Sequence, residues 1–276
     1  MWLIGVLVWM SLITGIVTLA NRTPRAITTS ARWDIESLAG SASGIVSPLA
    51  SFSVAAAVFL ANLIRAAPTP SFADVMAMFL IAFIILMGSA IMYSTDRSLR
   101  VDQQLGETFE VTYRVLYILA TAAFYLGITT SWIGLYPLLL SIDLTTLAGV
   151  FMWLLLVAIL AGGVRLVAWL YSLLDIRFVT AAIIPIVSFT GAAIYRLALV
   201  PRFPSLWPQN NPVLSFAILV FALAAVPLVG ESVVIAFHGD QRMYELFRRI
   251  GRTILPSYVA LAITAVVFLW FSAVAK

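Results

Sequence analysis

Glu231 is the acid set deepest in an apolar run of this sequence, in the stretch Pro227-Leu228-Val229-Gly230-Glu231-Ser232. Keeping a carboxyl in a membrane-length apolar segment is costly, so such an acid marks an ion-binding or proton-carrying position. Its structural alternative is one half of an ion pair, and Arg165 is the arginine best placed to be the other half. Hydroxyls form the second candidate group. Ser43, Ser47 and Ser51 recur at every fourth residue, Ala55 continues the row and Asn62 lies further along it. Ser188 stands in a similar small-residue surface around Pro185. Such rows can line a path for water or ions, or let two helix backbones approach closely.

Among the prolines inside apolar runs, Pro48, Pro185 and Pro227 are the kink candidates. Each lacks an N–H and frees the carbonyl four residues earlier, so a kink or local unwinding is expected at each. The freed carbonyls at the first two are Gly44 and Ala181. The hydroxyls of Ser47, Ser51 and Ser188 are expected to satisfy them.

Several chemistries are excluded. The chain has no cysteine, which removes disulfides, thiolate metal sites and cysteine nucleophiles. Its one histidine, His238, cannot build a standard zinc site alone. Its one lysine, Lys276, is terminal and leaves no Schiff base within a helix. Ser41-Ala42-Ser43-Gly44 lacks the first glycine of a serine-nucleophile elbow, and no nucleotide-binding or metalloprotease motif occurs. No enzymatic activity, no metal and no cofactor is expected.

The elements that must position these groups are membrane spans. Of 276 residues, 63% are hydrophobic and 10% charged, and mean hydropathy is +1.07. That is far from an ordinary soluble domain. Apolar runs long enough to cross the ~30 Å hydrocarbon layer predict eight helices, near 1–20, 42–63, 73–95, 112–134, 145–168, 179–200, 212–237 and 254–275. The fold class is therefore all-α and polytopic. The basic residues, 15 of them arginine, read as topology signals rather than as a nucleic-acid surface.

Sorted by loop, the arginines are asymmetric. The loops after the odd-numbered spans and the adjoining span ends carry twelve: Arg22, Arg25 and Arg32; Arg97, Arg100 and Arg114; Arg165 and Arg177; Arg242, Arg248, Arg249 and Arg252. The opposite side carries Arg65, Arg196, Arg202 and Lys276. Both termini are thus expected outside, with the basic loops cytoplasmic. Arg196 is expected to snorkel to the headgroups.

An internal repeat organises the spans. Pro48-Leu-Ala-Ser-Phe-Ser-Val-Ala-Ala56 matches Pro185-Ile-Val-Ser-Phe-Thr-Gly-Ala-Ala193, Gly88 matches Gly230, and Leu105-Gly106-Glu107-Thr108 with Tyr113 matches Ile250-Gly251-Arg252-Thr253 with Tyr258. The offsets are 137, 142 and 145 residues, in order. This predicts two four-helix repeats, 1–138 and 139–276, which enter the membrane in the same orientation because each has an even number of spans.

A duplicated unit that assembles into a homo-oligomer around helices two and six points first to an ion channel or pore, with Ser43, Ser47, Ser51, Asn62, Ser188 and Glu231 along its path. A small secondary transporter, its halves rocking about a central site, is the alternative, as is a non-transporting subunit that meets a partner protein at the cytoplasmic loops.

Overall fold

The computed structural model describes residues 1–21, 35–66, 70–98, 106–141, 143–174, 176–236 and 241–274. They form eight α-helices: α1 (Trp2–Ala20), α2 (Ile35–Ala66), α3 (Pro70–Ser98), α4 (Gly106–Ser141), α5 (Thr145–Leu174), α6 (Phe178–Ile194), α7 (Pro212–Ala236) and α8 (Gln241–Val274). All eight are long and apolar enough to cross a membrane, as a multi-pass membrane protein requires. No strand occurs among the described residues. Arg22, Arg25, Arg32, Asp34, Arg100, His238 and Lys276 lie outside the described residues, as do the side chains of Glu36, Arg97, Arg248 and Arg252.

The number and order of helices match the apolar runs, but several helices are longer. At 36 and 34 residues, α4 and α8 reach about 50 Å, well beyond the hydrocarbon layer. Their first turns, such as Gln241–Arg252, carry several charged residues and fall outside the apolar runs. Polarity ends a membrane span without ending a helix.

Successive helices alternate in direction, and cross-helix bonds fix their registers. Ser89 Oγ donates to Ala120 O across α3 and α4 at 2.9 Å, and Tyr258 Oη donates to Leu223 O across α7 and α8 at 3.1 Å. At the end that holds both chain termini, Asn211 Nδ2 donates to Asp74 Oδ1 at 2.6 Å. Further along, Leu228 packs on Gly88, so α3 and α7 run side by side in the same direction. α8 is buried over most of its span and touches α1, α4, α5, α6 and α7.

Lipid is as apolar as a helix face, so close van der Waals packing, more than the hydrophobic effect, holds such a bundle together. One close approach is at Gly251 of α8, where a Cβ would fall inside the Val115 side chain of α4. An aromatic cluster locks the terminal end: Trp207 and Phe268 flank Phe216, Tyr195 stacks between Trp9 and Phe268, and Tyr195 Oη donates to Leu206 O at 2.8 Å.

The prolines leave the helices continuous. α2, α6 and α7 run through Pro48, Pro185 and Pro227 without a change of helix type. The widened turn of this part of the chain is instead at Tyr195–Leu199, where Val200 N donates to Tyr195 O at 3.0 Å. The expected rescue of the freed carbonyls also does not occur, because Ser47 Oγ donates to Ser43 O, Ser51 Oγ to Ser47 O and Ser188 Oγ to Ala260 O. The α2 hydroxyls bond one turn back along their own helix, and Ser188 serves a neighbouring helix.

Candidate functional site

The residues singled out by type and spacing do not converge. On α2, Ser47, Ser51 and Asn62 are exposed and Ser43 is half-buried. Each serine hydroxyl is spent on its own helix, Ser43 on Gly40 O at 2.9 Å and Ser47 and Ser51 at 3.1 Å. The opposite face of α2 is the packed one, where Ser53 Oγ meets Ser131 Oγ of α4 at 3.2 Å. Ser188, the counterpart of Ser51 in the repeated motif, is fully buried and ties α6 to α8 through Ala260 O. One motif thus serves two opposite surroundings.

That contrast is testable. Ser188→Ala leaves a buried carbonyl with one partner fewer and is expected to cost about 1 kcal/mol in reversible unfolding. Ser51→Ala removes a bond that the exposed helix makes to itself, and the same measurement should show no change.

The paired charges also separate. Glu231 is buried on α7, which packs against α3, α4 and α8. Arg165 lies on α5, which packs against α4, α6 and α8, and no Arg165–Glu231 ion pair is formed among the described residues. Arg196, at the widened turn, places its guanidinium 4.9 Å from the Trp207 ring centre in a cation–π contact.

What the fold does build is a cleft of about 520 Å³ between α2, α4 and α5, with Tyr93 of α3 at its back. α4 supplies a row at helical spacing, Tyr117, Thr121, Tyr125, Ile128 and Trp132. α5 supplies Ala158, Gly162, Arg165 and Trp169, and α2 supplies Ser41, Ile45 and Val46.

The wall is held by its own hydrogen bonds. Tyr93 Oη donates to Thr121 Oγ1 at 2.9 Å, and Thr121 Oγ1 donates to Tyr117 O at 2.8 Å. Tyr125 Oη reaches across to Ile159 O of α5 at 3.0 Å, and Thr129 Oγ1 donates to Tyr125 O at 2.6 Å. Tyr117 makes an edge contact with Trp169 at 5.6 Å. The Tyr125 ring can approach α5 closely because residue 162 is glycine, where a Cβ would sit 2.7 Å from Tyr125 Cε2.

The mouth of the cleft is on the flank of the bundle. Ser41 and Ile45 of α2 and Ala161 and Arg165 of α5 line the cleft and are also exposed, so it opens sideways between these two helices. Arg165 is about 8 Å along α5 from its midpoint, within the apolar span. Among the described residues it makes no hydrogen bond or ion pair, and it is the only charged residue of the lining.

The sequence offers Arg165 as a candidate ion-pair partner for Glu231 and as a topology signal, and that reading does not point to the rest of the cleft. The signal was present: tyrosine, threonine and tryptophan recur on one face of α4 at mid-span, whereas tyrosine and tryptophan usually gather at the membrane interfaces. The chain matches no known family model, no curated protein and no solved structure.

Proposed function

We propose that this protein is a membrane carrier for an amphipathic small molecule, and that the cleft between α2, α4 and α5 is its substrate site. The observation that carries the reading is the lateral mouth at Ile45, Ala161 and Arg165. Its volume falls in the range of roughly 300–1,000 Å³ that holds drug-sized ligands, and its mix of apolar walls with a few placed polar groups is that of a ligand pocket. A side opening within the apolar span admits a molecule already dissolved in the bilayer. No catalytic group is needed.

The two-repeat reading has the parallel run of α3 and α7, the third span of each half, in its favour. The arginine distribution supports a cytoplasmic basic end with both termini outside.

The test uses vesicles carrying a fluorescent single-chain lysolipid, with an impermeant reductant to bleach the outer leaflet. Wild-type protein is expected to speed the loss of the inner-leaflet signal, and Ala161→Trp, which fills the mouth, to abolish the effect. Equal rates with and without protein would overturn the carrier reading.

The exposed Ser47 and Ser51 favour a second reading, a pore formed between copies of the chain with α2 at its axis. Because the chain has no cysteine, Ser51→Cys creates a unique thiol. A pore predicts rapid modification by a charged, water-soluble thiol reagent, together with a discrete conductance that the modification blocks. Under the carrier reading that thiol faces lipid and reacts only with a membrane-soluble reagent.

A further inference from the structure

We infer that Arg165 is the headgroup-binding residue of the cleft, and that the ligand is a single acyl chain with an anionic head. This rests on the carrier reading and names its substrate class.

Three observations converge on Arg165. First, a cationic side chain within an apolar span is costly to keep there, so a position that holds one needs a compensating partner. Among the described residues the protein provides Arg165 with no carboxylate and no carbonyl.

Second, snorkelling is a poor alternative. The Cα–Cβ bond of a helical residue tilts toward the helix N-terminus. Arg165 lies in the C-terminal half of α5, so that tilt leads toward mid-span and into the cleft rather than to the nearer end of the bundle. Its position agrees, because the cleft extends along α5 on both sides of it, from Ala158 to Trp169.

Third, much of the polar surface of the wall is already used: Thr121, Tyr125 and Thr129 donate to backbone carbonyls and Tyr93 donates to Thr121 Oγ1. The guanidinium is the charged group of the lining, and it selects an anion by a charge-assisted, two-pronged hydrogen bond. The aromatic and aliphatic surface of α4, from Tyr117 to Trp132, takes the apolar body.

The experiment measures binding of cis-parinaric acid and of its methyl ester to protein in phosphatidylcholine nanodiscs, at alkaline pH where the acid is ionised. Energy transfer from the protein's tryptophans, two of which line the cleft, reports occupancy. Wild type is expected to bind the acid about tenfold more tightly than the ester. Arg165→Gln should bind both with the affinity of the ester, which also shows that the variant is folded, and Arg165→Lys should keep part of the preference. Equal binding of acid and ester by wild type, or a preference that survives Arg165→Gln, overturns the proposal. Failure of the carrier reading looks different: lysolipid transfer would then be equal with and without protein, while the acid preference of wild type and its loss in Arg165→Gln would remain.

The anionic head can belong to a free acid or to a phospholipid that inserts one chain, and a further arm separates them. Phosphatidylglycerol added to the discs displaces parinaric acid from wild type if the source is membrane lipid, and leaves it bound if the source is a free acid. Either result retains Arg165 as the anion partner.

Discussion

Gly251→Ala is expected to destabilise the protein by about 1–3 kcal/mol, although alanine is the better helix former by roughly 1 kcal/mol. The reversal of sign comes from packing. Gly251 lies where α8 crosses α4, and a Cβ there would enter the volume of the Val115 side chain. Valine is branched at Cβ and stiff at χ1, so it cannot fold away and the helices must separate. Because α8 touches five other helices, the loss spreads through the bundle. Reversible unfolding in detergent checks this, with Gly149→Ala as the control: Gly149 has open space around it, and its replacement should be neutral or stabilising. Adding Val115→Ala to Gly251→Ala should recover most of the loss. A stabilised Gly251→Ala would mean that α4 and α8 do not meet at this point.

The second large effect is on the cleft. Gly162→Ala should weaken binding of parinaric acid by tenfold or more, with only a modest loss of stability. The new methyl would stand 2.7 Å from Tyr125 Cε2. That ring is pinned at both ends, at Cβ by α4 and at Oη by the bond to Ile159 O, so it cannot slide along α5. It must swing away from α5, which breaks the bond and puts the ring in the space the ligand needs. Tyr125→Leu in the same chain removes the ring and is expected to restore binding. If Gly162→Ala binds normally, the ligand lies elsewhere. Arg165→Gln differs in kind, because it removes a charge and leaves the volume intact.

Both predictions concern helix crossings, which is where sequence reading stopped. The Pro-x-x-Ser-Phe motif shows the difficulty. Ser51 and Ser188 hold the same position in it, yet one is exposed on α2 and the other is buried against α8. Nothing local distinguishes them, because the difference lies in what packs on each helix: α2 lies along α3, while α6 lies against α8 and α1. Arg165 was legible as a topology signal and as a candidate partner for Glu231, but its surroundings were not. It lines the cleft with Tyr117, Thr121 and Tyr125, which are 40 or more residues away on another helix.

By itself the sequence determined that the chain is helical, that it holds eight segments long and apolar enough to cross a membrane and in what order, because each follows from the length of an apolar run set against the thickness of a bilayer. It also determined which chemistries are absent, since missing cysteines and a terminal lysine are facts of composition. Only the tertiary structure decided which face of each helix turns inward. In a soluble protein the polar stripe of a helix marks its outer face, but here the surroundings are as apolar as the core and that mark is erased. The cleft, its lateral mouth and the arginine beside it are products of helix packing, and packing is set by the fit of side chains across crossings such as Gly162 with Tyr125 and Gly251 with Val115.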